Sequence, residues 1–156
     1  MKRFALAIVV ALLFAAPAVA EETSELDDYI AMLKSDIAAE SREIITEVMQ
    51  FTDVEAELFW PIHDDYMKKL EPLTDRRIAL IVEIAETWPQ IPDRRAGAMG
   101  KEALDVEAEL VELQRATFAK ISKALNATTA AKWLQIDARL RLLVRLQTAA
   151  ELPIIP

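Results

Sequence analysis

The stretch FWPIHDDYM, Phe59 to Met67, holds the only histidine of a 156-residue chain, beside two aspartates and three aromatic residues. Residues of these types can bind a metal, form an acid/base pair, or pack. On a helix, His63 and Met67 stand one turn apart at i and i+4, whereas Asp64 and Asp65 point elsewhere. Adjacent residues on a helix cannot chelate one ion. A His/Met pair is a soft site suited to Cu(I), and it needs a further ligand. Met32, Met49 and Met99 offer no spacing that would supply one. An acid/base reading lacks a nucleophile, a glycine-rich loop and an oxyanion arrangement. The expectation is therefore no catalytic residue, no cofactor and no metal site, with His63 and Met67 the candidates if a metal binds. Phe59 and Trp60 are expected to wedge between helices near Pro61, with the Tyr66 hydroxyl at an edge. His63, Asp64 and Asp65, with Glu55 and Glu57, are expected to form a solvated strip.

The elements that position these residues are helical. The chain has two glycines, both in RRAGAMGKE, and long runs of Ala, Leu, Glu, Lys, Arg and Ile without strand-type alternation. The pattern predicts an all-α fold of about four helices in long antiparallel hairpins. The first helix is predicted from Ser24 or Glu25 to Gln50, on the stripe Leu26, Tyr29, Ile30, Leu33, Ile37, Ile44, Ile45 and Val48. Thr52 followed by Glu55 is a capping box that starts the second helix at Asp53. This helix is predicted to reach Trp88, about 54 Å at 1.5 Å per residue. Pro61 and Pro72 inside it are expected to kink or locally break it. Asp93 is the expected cap of the third helix, from Arg94 to about Ala124, with Leu104, Leu110, Leu113, Thr117, Phe118, Ile121 and Leu125 as its stripe. Fraying is expected near Gly97 and Gly100. Asn126 caps the fourth helix, which carries Trp133, Ile136, Leu140, Leu143, Val144 and Leu146 to about Ala150. Arg77 lies in phase with Leu70, Leu73, Leu80 and Ile84. A guanidinium there needs a carboxylate partner, so an interhelix ion pair is expected, with an anion site as the alternative. Trp88 and Trp133 read as core or interface anchors.

The chain opens MKRFALAIVVALLFAAPAVAEE. Lys2 and Arg3, the apolar run Phe4 to Ala16 and the A-x-A site Ala18 to Ala20 predict a signal peptide over residues 1–20, cleaved after Ala20. The rest, 21–156, is expected to be a single helical domain in the periplasm. No later stretch reaches about 18 apolar residues, so no membrane span is expected after cleavage. With no cysteine there is no disulfide framework and no thiol chemistry. Charge is divided unevenly. Residues 21–93 carry 6 Lys and Arg against 19 Asp and Glu, and residues 94–147 carry 10 against 6. From Arg115 to Arg145 there are seven basic residues and one acidic, Asp137. Two oppositely charged halves that face each other account for this most simply. The alternative is a basic partner surface that includes Arg115, Lys120, Lys123, Arg139, Arg141 and Arg145.

FTDVEAELFWPI from Phe51 and LNATTAAKWLQI from Leu125 share an apolar residue, a capping residue and a helix start with an aromatic following. Together they resemble the twin LTxxQ signature of the Spy/CpxP family of periplasmic stress proteins. The family's Gln is Glu55 in the first copy and Thr129 in the second, and its Thr is Thr52 and Asn126. EAELFWPIHDDYM and LTDRRIALI also resemble a group of proteobacterial periplasmic helical proteins with no assigned activity. The first resemblance implies an exported, all-helical, non-enzymatic protein that forms a cradle-shaped homodimer. Its partners would be proteins or unfolded clients rather than nucleic acid, and its role that of a chaperone or envelope-stress modulator. Two other functions fit the composition: a copper- or zinc-responsive binding protein and a structural envelope component.

Overall fold

The computed structural model describes residues 39–149, without the side chains of 143, 144 and 146–149. The proposed signal peptide, the predicted first-helix stripe up to Ile37 and the ELPIIP tail lie outside the described residues. The fold is all-α: the described residues form four helices and no strand. They are α1 (39–49), α2 (Asp53–Thr87), α3 (Asp93–Ala124) and α4 (Ala127–Ala149). The chain divides between Glu43 and Ile44, and the end of α1 belongs with α2, α3 and α4 to the unit that begins at Ile44.

Local chemistry sets the helix ends. α1 stops at Gln50, whose φ of 52° is left-handed. The Gln50 amide donates to the Thr46 carbonyl at 3.2 Å, and Lys132 Nζ donates to the Val48 carbonyl at 2.6 Å. A cation on the last carbonyls suits the negative end of the helix dipole. Thr52 and Glu55 form the full capping box. The Glu55 amide donates to Thr52 Oγ1 at 3.3 Å, and the Thr52 amide donates to Glu55 Oε2 at 2.9 Å. Asn126 Oδ1 accepts the Thr129 amide at 2.8 Å and so caps α4 as expected.

Two expectations are corrected, those for Asp93 and for the two glycines, and of the two outcomes expected at the prolines the break does not occur. α2 runs through Pro61 and Pro72 without a break. Both prolines and the residues four before them, Glu57 and Lys68, are exposed, so water can reach the carbonyls that the prolines leave without donors. Asp93 is the first residue of α3 rather than its cap. Pro92 holds the cap position, and its carbonyl accepts the Arg95 and Ala96 amides at 2.8 and 2.9 Å. Gly97 and Gly100 lie within continuous helix.

α2 and α3 are antiparallel, because Asp65, Arg76 and Glu83 pair in turn with Lys120, Glu109 and Arg95. α3 and α4 are antiparallel too, since Gln114 meets Asp137 and Glu107 meets Arg145. α3 is therefore flanked by both neighbours. The main core joins Phe59 and Tyr66 of α2, Ile121 of α3, Ala130, Trp133 and Ile136 of α4, and Ile45 and Met49 of α1. A smaller cluster of Leu73, Val106 and Leu110 lies farther along the α2–α3 hairpin.

Candidate functional site

His63 is 5% exposed, which corrects the expectation of a solvated strip. It lies four residues after Phe59 and three before Tyr66, so it shares their inward face. Its ring centroid is 5.6 Å from those of Phe59 and Trp60 and 6.2 Å from that of Tyr66. Met67 packs at the margin of the same cluster. Asp64 is exposed. Asp65 accepts Lys69 and Lys120, each at 2.8 Å, and the Lys120 and Lys69 bonds hold its carboxyl down to about 2. Among the described residues, no three His, Cys, Asp or Glu side chains converge as metal ligands.

The Tyr66 hydroxyl is buried, not at an edge. It donates to Asp137 Oδ1 at 2.7 Å, while Gln114 Nε2 donates to Oδ2 at 2.7 Å. Arg141 Nη2 lies 2.8 Å from the same Oδ2. Burial, then the Asp137 charge, raises the Tyr66 pKa far above the ordinary phenol range, so this group stays a neutral donor. Asp137, 8% exposed, thus ties three helices through a shared buried acceptor. The sequence carries a signal for this role: Asp137 is the one acidic residue among seven basic ones, four residues after Trp133.

A second node centres on Glu107 of α3. It accepts Arg77 Nη1 of α2 at 2.8 Å, and Arg145 Nη2 of α4 at 2.6 and 2.5 Å. Burial raises the pKa of Glu107, but Arg145 and Arg77 outweigh it and hold the carboxyl below its ordinary value. The interhelix pair expected for Arg77 is present, with Glu107 as its partner.

The basic residues of the candidate partner surface separate by environment. Lys120, Arg141 and Arg145 pair with Asp65, Asp137 and Glu107. Arg115 is exposed and lies 3.7 Å from Glu112. Lys123 and Arg139 are exposed on α3 and α4.

An open groove of about 740 Å³ runs between α2 and α3. Pro72, Leu73, Ala108 and Leu113 give it an apolar floor, and Val111, 43% exposed, borders it. Lys69 and Arg76 stand on its α2 side, Glu109 and Glu112 on its α3 side. Sequence reasoning misses this groove because it combines two helices. Comparison of the chain with protein-family models, curated proteins and solved structures finds no match.

Proposed function

We propose that this chain is a non-enzymatic periplasmic protein-binding protein, chaperone-like or a modulator of envelope stress, of the Spy/CpxP type. It is exported by a cleaved signal peptide and contacts its partners through the α2–α3 groove. The observation that carries this reading is the open apolar strip along that groove, with exposed Val111 at its border. Arg115, Lys123 and Arg139 stay solvent-exposed and are the part of the basic segment available to a partner. Lys120, Arg141 and Arg145 serve the fold in this reading.

The test is suppression of aggregation of an unfolding client without ATP, with and without copper and zinc. Wild type should slow aggregation at stoichiometric ratio, and the metals should change nothing. Ala108→Glu with Val111→Glu places two charges on exposed or bordering positions and should abolish the effect while leaving the helical melt intact. Absence of suppression by wild type, or full suppression by the double variant, contradicts the reading.

A further inference from the structure

The groove has walls of opposite sign. Lys69 and Arg76 lie along α2, and Glu109 and Glu112 lie along α3; Arg76 and Glu109 bridge the two sides at 2.8 Å, which leaves Lys69 and Glu112 as the flanks of the apolar floor that are not paired to each other. We propose that its occupant is an amphipathic helix with one acidic and one basic flank, bound with the acidic flank against α2 and the basic flank against α3. This rests on the reading above that the groove takes protein.

Three features set the chemistry of this partner. The first is length. Lys69 to Arg76 spans about two helical turns, or about 10 Å, which accommodates apolar anchors at i, i+3 or i+4, and i+7 from one helix. The second is that the floor offers no side-chain polar partners at Pro72, Leu73, Ala108 and Leu113. An extended strand would leave its backbone groups facing that floor unpaired, whereas a helix satisfies its own. The third is the state of the walls. Lys69 pairs with Asp65 and Glu112 with Arg115 through exposed side chains, whereas Arg76 is half-buried and shared between Glu102 and Glu109. Exposed pairs of this kind contribute little, so an incoming flank of the right sign can share or replace them at small cost. Exchanging the two flanks of the helix turns it end for end in the groove, so the flanks set its direction.

The experiment uses the full chain and two labelled helical peptides of identical composition, zero net charge and the same leucine face. One has Glu on one flank and Lys on the other; its counterpart mixes Glu and Lys on both flanks. Fluorescence anisotropy at low salt should show the two-signed peptide binding about fivefold more tightly, the scale expected of two exposed pairs. Glu112→Lys should lower its affinity to that of the mixed peptide, and Glu112→Gln should fall between. Glu112 is exposed, so thermal melts of both variants should match wild type. Equal binding of the two peptides to wild type overturns this inference and leaves the protein-binding reading standing. Failure of both peptides to bind a protein that suppresses aggregation also overturns it alone. Failure of both binding and suppression overturns both readings.

Discussion

The two ends of the α2–α3 hairpin are held in different ways. At one end, Phe59, Tyr66, Ile121 and Trp133 are almost wholly buried, and the Tyr66 hydroxyl is led to Asp137. At the other, 78–87 of α2 face 93–103 of α3 with Met99 as the buried apolar residue, and Arg76–Glu102 and Arg95–Glu83 bridge the helices at the surface. Burial of large apolar groups yields kilocalories per residue, whereas exposed ion pairs yield about 0–1 kcal/mol and are screened by salt. One end is therefore a scaffold with a fixed geometry. The other is an arm whose stability is smaller and depends on ionic strength. The groove lies between them, anchored by the scaffold and open to solvent.

Trp133→Ala should break this contrast most severely. Removing a fully buried indole from the joint of α2, α3 and α4 should cost about 4 kcal/mol, read as a fall in the denaturant midpoint. Asp137→Ala comes next. It strips Tyr66, Gln114 and Arg141 of a shared acceptor at a buried position and should cost about 3 kcal/mol. Tyr66→Phe with Asp137→Ala should cost less than the sum of the two single changes, because both remove one bond. Thr52→Ala should cost about 1 kcal/mol through loss of the cap, with hydrogen exchange rising only in the first turn of α2.

The smallest effect is the pH response of Asp65. Its carboxyl titrates at about 2 in the fold against an ordinary 3.8, so its contribution is present above the ordinary value and is lost as pH falls from there through about 2. Asp65→Asn should flatten that part of the acid limb of the stability profile by removing the small contribution present above the ordinary value, leaving stability at the lowest pH unchanged.

Some of this is legible in the sequence. The all-α class, the Thr52–Glu55 box and the Asn126 cap rest on local signals, and the structure has each of them. The phase of Arg77 with its apolar neighbours calls for a carboxylate, but phase alone does not name Glu107, thirty residues away. His63 is harder to place, because Phe59, Ile62 and Tyr66 form an equally regular stripe that leaves it outside. The inward face centres instead on Phe59, His63 and Tyr66, and Ile62 flanks it. An interior proline removes a donor and crowds the carbonyl four residues back; that α2 stays continuous through Pro61 and Pro72 rests on its tertiary setting, which these residues do not carry locally. Leu104 fits the apolar stripe of α3 by spacing but is 72% exposed, since periodicity near the two glycines does not fix which side a neighbouring helix covers. The lone acid among seven basic residues singles out Asp137, but nothing local names its partner Tyr66, 71 residues away.

The most direct test is hydrogen exchange of the full chain with and without a saturating unfolded client. Binding should slow exchange at 69–76 of α2 and 108–113 of α3, leave the amides around Phe59, Ile121 and Trp133 at their already slow rates, and fade when the Ala108→Glu, Val111→Glu variant is used. Slowed exchange confined to other segments, or faster exchange in the scaffold on binding, would contradict the assignment of the groove as the partner surface.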